Sequence, residues 1–85
     1  MKKIKVIGIL IRDRIKESGR TQAVLSRYDE IIQSRLGSHE LSEQVCSRKG
    51  LILLTLGGDH TRWDALEEEL TAIGGLEVKE MLFEY

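Results

Sequence analysis

The sequence predicts a single α+β domain in which two helices cover one face of a four-stranded antiparallel sheet. The chain has 85 residues, which is the length of one small domain. Four short segments rich in β-branched and apolar residues predict strands, and two longer segments with apolar residues three or four positions apart predict helices. The domain is therefore expected to span residues 1–85 without a linker.

The first half of the chain supplies a strand, a helix and a second strand. Residues 4–12 are mostly β-branched or apolar and predict strand one. Asp13 follows and can cap a helix through its carboxylate. The apolar positions close to one face of that helix are Ile15, Val24, Leu25 and Tyr28. Gly19 inside the helix marks either a weak point or close packing, and residues 31–37 predict strand two.

The second half begins with a long polar connection. Residues 38–50 are polar and charged, and connections of that length are often functional. Residues 51–56 form the most apolar segment of the chain and predict strand three. The second helix is predicted to begin near Asp59 or Thr61, where the spacing from Thr61 to Asp64 matches a capping box.

An apolar stripe and a glycine pair define the remaining elements. The stripe consists of Trp63, Leu66, Leu70 and Ile73, and the glutamates at 67–69 are expected mostly on the solvated side of the same helix. Gly74 and Gly75 provide the C-terminal stop, and residues 76–83 predict strand four. The order β-α-β-β-α-β is that of the ferredoxin-like fold.

Composition excludes several classes of function. Lys and Arg number 13 against 14 Asp and Glu, and this balance argues against direct binding of nucleic acid or an anionic membrane. The longest uncharged apolar run, residues 6–11, is far shorter than the roughly 20 residues of a membrane span. It is also too short for a signal peptide, so we expect a cytoplasmic protein. Cys46 is the single cysteine, and no disulfide can form within the chain.

The central strands are apolar on both sides, although the helices can cover only one face of the sheet. In strand one, Ile7 and Ile9 have one phase and Val6 and Leu10 the other, and strand three shows the same pattern. A monomer would expose the second face as a large apolar patch, which monomers rarely tolerate. We therefore predict a homodimer or tetramer formed through the sheet. The alternative is that Gly8 and flanking charged side chains shield the patch.

Nearly the whole chain resembles one family of small bacterial proteins. The matching segments are residues 6–9, 13–14, 25–28, 31–37, 64–66, Leu70 and 73–79. Their order and spacing resemble the iron-only hydrogenase system regulators, which have an ACT-like fold related to the C-terminal domain of the nickel-responsive regulator. The resemblance implies a ferredoxin-like subunit, oligomerisation through the sheet, a role in sensing a small ligand or metal, and no enzymatic activity.

Two features of the nickel-responsive regulator are not matched. Strand one begins within the first few residues, so we expect no ribbon-helix-helix DNA-binding region. The closely spaced histidines that bind nickel in that regulator are also missing. The resemblance therefore implies neither direct DNA binding nor nickel sensing by this chain.

Two pairs of residues are candidates for binding a small effector. Asp13 and Arg14 lie where strand one meets the first helix, and the N–H groups of a helix N-terminus favour a carboxylate or phosphate. Asp13 alternatively acts only as the helix cap. Arg35 and Gly37 follow in strand two, where an Arg can bind an anion through two hydrogen bonds. The alternatives there are an ion pair at a subunit interface and a turn glycine.

Three further residues are weak candidates for metal ligands. His39 and Cys46 lie in the polar connection, and His60 could join them from the next loop or a neighbouring subunit. Their spacing matches no established motif, and a surface histidine with a lone thiol is the simpler interpretation. No bound metal or cofactor is therefore expected.

Three classes of function remain open. The first is a non-enzymatic, homo-oligomeric regulatory module that senses a small ligand. The second is a small enzyme of the dimeric α/β-barrel kind, with His39 or His60 facing an enclosed cavity. The third is a structural subunit that docks a sheet edge or apolar face on another protein.

Overall fold

The computed structural model describes residues 1–38 and 48–85, with the exception of the Ser38 side chain. Its elements are β1 (Lys3–Ile11), α1 (Arg14–Arg27), a 3₁₀ turn (Asp29–Ile31), β2 (Ile32–Ser38), β3 (Gly50–Leu56), α2 (Thr61–Thr71) and β4 (Leu76–Glu84). The strands form one antiparallel sheet in the order β2-β3-β1-β4. This is the predicted βαββαβ ferredoxin-like fold.

The core lies between the two helices and the sheet face that they cover. We call this side of the sheet the covered face. Successive strand residues point to opposite faces, and the phase that includes Ile7, Ile9, Leu54 and Leu56 is fully buried against the helices. From the helices, Leu25, Leu66 and Leu70 complete the centre of this core, together with Trp63.

Helix α1 begins as predicted and buries Val24, Leu25 and Tyr28 of the predicted face, but not Ile15. Asp13 Oδ1 accepts hydrogen bonds from the backbone N–H groups of Ile15 at 3.1 Å and Lys16 at 3.4 Å. Ile15, which was expected near the apolar face, is 78% exposed, and Glu17 and Thr21 are buried instead. Two residues correspond to about 200° around a helix, so a face that contains Glu17 must turn Ile15 towards solvent.

The glycine inside α1 does not mark close packing. A Cβ atom added to Gly19 would meet nothing within 4 Å. The remaining interpretation is that Gly19 weakens the helix, because glycine costs about 1 kcal/mol relative to alanine within a helix.

The start of α2 differs from the predicted capping box. The N-cap residue is His60, and no side chain caps the helix from that position. Asp59 Oδ1 instead accepts from the backbone N of Thr61 at 3.0 Å and from its hydroxyl at 2.7 Å. Because Thr61 is already the first helical residue, its side chain is one position too late to form the box.

The predicted apolar stripe of α2 and the glycine stop after it are confirmed. Trp63, Leu66, Leu70 and Ile73 are buried, and the helix ends before the glycine pair. Gly75 has a φ of +86°, a conformation that only glycine adopts readily. Within the part of the chain that the structure describes, no helix is long and apolar enough to cross a membrane.

Candidate functional site

The sheet face opposite the helices carries a continuous apolar surface. This open face consists of Ile4, Val6, Leu10, Leu36, Leu51, Leu53, Met81 and Phe83. Cross-strand pairs join its members, with Val6 opposite Met81 and Leu36 opposite Leu53. The exposed fraction of the five most accessible side chains ranges from 40% to 66%. The predicted two-sided apolar sheet is therefore present, and no helix of the described chain covers its second side.

Among residues 1–38 and 48–85, charged side chains border the open face along β4. Lys79 and Glu77 lie on β4, with 3.8 Å between the Lys79 Nζ and a Glu77 carboxylate oxygen. Beside them is a hollow of about 310 Å³, which includes Gly8 and Leu53 in its lining. The alternative was that Gly8 and flanking charged side chains shield the apolar patch. The charged side chains lie along the β4 edge and do not cover the middle of the open face.

A second concave feature lies between α1 and the edge of the sheet formed by β2 and β3. We call it the basic cleft, and its volume is about 170 Å³. It is lined by Ile11, Arg14, Ser18, Gln22, Arg35, Gly37, Gly50, Leu51 and Ile52. Three of the four predicted effector-binding residues, Arg14, Arg35 and Gly37, therefore come together in one place.

The fourth predicted residue, Asp13, stays outside the cleft. Its carboxylate caps α1 through one oxygen, while the other lies 3.4 Å from the Arg48 guanidinium. The backbone N of Arg14 donates to the carbonyl of Arg48 at 2.7 Å. Asp13 thus anchors the start of β3 to α1, which places Arg14 beside the cleft.

Sequence reasoning missed two polar residues of the cleft. Ser18 and Gln22 follow Arg14 at intervals of four, so the three side chains share one face of α1. The Arg35 guanidinium donates to Gln22 Oε1 and is thereby held towards the helix. The spacing of four would have identified this polar stripe in the sequence.

The end of the sheet around the cleft is rich in positive charge. Besides the two arginines of the cleft, Arg12, Arg48 and Lys49 lie at the same strand ends. Among the described residues, Glu77 is paired with Arg12 at 3.0 Å and Asp13 with Arg48, and neither carboxylate lines the cleft. This arrangement favours an anion over a cation in the cleft.

The candidate metal ligands are not brought together by the described part of the chain. His39 and Cys46 lie outside the described residues. His60 stacks on Trp63 with 4.3 Å between the ring centroids, and it follows the end of β3 farthest from Gly50. In residues 1–38 and 48–85, no three His, Cys, Asp or Glu side chains form a group that could hold a metal ion.

A buried lysine forms a cluster that the sequence analysis did not anticipate. Lys5 lies on the covered face of β1 and donates to Glu67 at 2.5 Å and to Glu80 at 2.7 Å. Burial by itself lowers the pKa of Lys5, but the two hydrogen bonds outweigh it and the pKa is raised. Burial raises the pKa of Glu67. The prediction of a solvated glutamate run is therefore wrong for Glu67, which turns inward to this lysine.

Comparisons with known proteins place the fold but name no family. No family profile matches the sequence, and no curated protein matches it. The uncharacterized protein TM1266 from Thermotoga maritima has a solved structure that matches with a TM-score of 0.81 and 26% sequence identity, over 99% of this chain and 100% of that one. An unknown protein from Galdieria sulphuraria matches with a TM-score of 0.66 and 9% identity over the whole chain, which spans 47% of that protein.

A more distant structure with bound ligands shares the fold. It is CPII from Thiomonas intermedia K12 bound to ADP, AMP and acetate, with a TM-score of 0.54 and 14% identity over 99% of this chain and 91% of that one. At that identity the likeness shows the fold alone. Together the matches show that this chain is a small ferredoxin-like domain.

Proposed function

We propose that this protein is a non-enzymatic regulatory module that works as a homo-oligomer and senses a small ligand, and that it is one of the iron-only hydrogenase system regulators that its sequence resembles. The observation that carries the proposal is the open face, whose apolar side chains continue across all four strands. The match to the Thermotoga protein along both full chains supports a subunit of this size as a recurring unit.

The open face is large enough to drive association. Five of its side chains are 40–66% exposed. Full burial of a large apolar side chain contributes about 1.5–3 kcal/mol, so covering the exposed half of these five gives about 4–7 kcal/mol per subunit. Two subunits together gain an amount of the same order as the roughly 4–15 kcal/mol cost of association. The gain from a twofold pairing of open faces is therefore comparable to its cost.

The polar edge of the open face suits an interface. Interfaces between subunits usually have an apolar centre and a polar rim. Leu53 and Val6 lie on the two central strands, and Glu77 and Lys79 lie on the edge strand. In a twofold assembly the centre of the face is thus buried while the charged side chains stay at its border.

The test places a charge in the centre of the open face. Leu53→Glu should convert an associated wild-type protein into a monomer, because pairing would remove the new carboxylate from water. Ile15→Glu is the matched control, since it makes the same change at an exposed apolar residue on α1, away from the open face. Light scattering coupled to size exclusion gives the masses, and circular dichroism checks that both variants fold.

Two outcomes would contradict the proposal. The first is a wild-type protein that stays monomeric at every concentration and gives no thermal shift with metals, amino acids or nucleotides. The second is dissociation by Ile15→Glu to the same extent as by Leu53→Glu. A monomer that forms a stoichiometric complex with a different protein through Leu53 would favour the partner-binding subunit instead.

A further inference from the structure

We propose that the basic cleft binds a small oxyanion, a phosphate monoester or a carboxylate, with the anionic group held between Arg14 and Arg35 and the organic part against Ile11 and Ile52. The inference deepens the proposed function by naming the class of effector, and it rests on that function only in treating the bound molecule as an effector. Binding itself is a separate property of the cleft.

The two walls of the cleft each contribute an arginine. Arg14, Ser18 and Gln22 occupy one face of α1, and Arg35 and Gly37 lie two residues apart on the covered face of β2. The floor is apolar and comes from the core residues Ile11 and Ile52. An anion-binding rim above an apolar floor suits a small molecule with a charged group and a short carbon body.

The chemistry of arginine selects an oxyanion. A guanidinium has five N–H donors in a planar fork that matches carboxylate and phosphate oxygens. The hydrogen bond to Gln22 uses only some of the N–H donors of Arg35. The Ser18 hydroxyl adds a further donor on the same wall. Donors from both walls can therefore meet an oxyanion placed between them.

Gly37 leaves the space that the ligand needs. A Cβ atom added there would meet nothing within 4 Å. In the described chain, positive φ angles occur only at Gly58 and Gly75, so the backbone of Gly37 does not require glycine. A glycine inside a strand often marks the close approach of another molecule. At about 170 Å³ the cleft is smaller than the roughly 300–1,000 Å³ sites of drug-sized ligands, so it holds a small group.

The experiment measures binding of inorganic phosphate, methyl phosphate and acetate by calorimetry, at constant ionic strength with chloride as the balancing anion. The wild-type protein should bind in a saturable manner, and preference between the phosphates and acetate identifies the chemical source of the oxyanion. Arg35→Gln should weaken binding at least about tenfold through loss of a charge-assisted contact. Gly37→Val should weaken binding without any change of charge, because its side chain takes up part of the space in the cleft.

Arg12→Gln is the matched control. It removes one positive charge from the same end of the sheet, but Arg12 pairs with Glu77 outside the cleft. Binding by this variant should stay within about twofold of the wild type, since exposed charges are largely screened. Circular dichroism confirms that each variant is folded before binding is measured.

The inference is overturned if no anion binds above the chloride background, if Arg12→Gln weakens binding as much as Arg35→Gln, or if Gly37→Val binds normally. The mass of the same samples separates this failure from failure of the proposed function. A monomer that binds phosphate would refute the homo-oligomer and leave the cleft, whereas an oligomer that binds none of the three anions would refute the cleft alone.

Discussion

The two faces of the sheet are built from similar apolar residues but differ in how far those residues are buried. On the covered face, Ile7, Ile9 and Leu54 are completely buried by the helices, whereas on the open face Leu36 is 66% exposed and Leu53 is 41% exposed. The same strands supply both faces, because alternate residues point to opposite sides. The comparison teaches that the helices bury one side of the apolar sheet, and that the proposed homo-oligomer would bury the other.

The largest expected effect contrasts two adjacent leucines of β3. Leu54→Ala should cost about 2–5 kcal/mol of the free energy of unfolding, because it opens a cavity in a fully buried site. Leu53→Ala should cost less than about 1 kcal/mol in the monomer and should instead weaken association. Urea unfolding at low protein concentration measures both, and equal losses would show that the two faces do not differ as described.

The second largest expected effect on stability concerns the cluster of Lys5, Glu67 and Glu80. Lys5→Met should cost about 1–3 kcal/mol near neutral pH, because Glu67 and Glu80 lose their shared cation, and the access of Glu80 to water limits the loss. Urea unfolding of both proteins at neutral pH gives the difference. A variant as stable as the wild type would mean that the lysine adds nothing to folding beyond its packing.

The same variant has a pH signature. The pKa of Lys5 is raised above 10.5 in the folded protein, so its contribution is fully present below pH 10.5 and is lost as the pH rises through the folded value. As the pH rises above 10.5, the wild type should lose more stability than Lys5→Met. The pKa of Tyr28 is also raised, by its hydrogen bond to Glu69, but Tyr28 is present in both proteins and its effect cancels in the comparison. Parallel curves would contradict the raised pKa.

The smallest expected effect is a gain in stability. Glu17 of α1 is buried, and its Oε2 atom has no hydrogen-bond partner among the described residues. Glu17→Gln keeps the shape of the side chain and removes a charge that burial disfavours. The free energy of unfolding should rise by about 1 kcal/mol, which a higher melting temperature would report. Exposed Glu68 provides the control, because Glu68→Gln should change little. A lower melting temperature for Glu17→Gln would show that the carboxylate is needed where it is.

The helices and strands could be predicted from the sequence because residues close by in the chain mark where they begin and end. The apolar strands, the Asp13 cap, and the Gly74 and Gly75 stop depend on neighbours within a few residues. The two-sided apolar sheet was likewise readable, since its alternation has a period of two.

The features that escaped prediction depend on distant contacts. Lys5 meets Glu67 across 62 positions of sequence, through the register of β1 and the placement of α2. The burial of Glu17 and the exposure of Ile15 follow from how α1 is rotated on the sheet, which tertiary packing decides and local pattern does not. At the candidate site, Arg14, Arg35 and Gly37 were predicted as separate pairs, and only the fold brings them into one cleft.

The mass of the unmodified protein in solution tests the central claim most directly. Sedimentation equilibrium over a range of concentrations should give a dimer or a tetramer of the 9.7 kDa chain, because association would bury the open face, which no helix of the described residues covers. A single 9.7 kDa species at all concentrations would contradict the claim and show that the open face tolerates water.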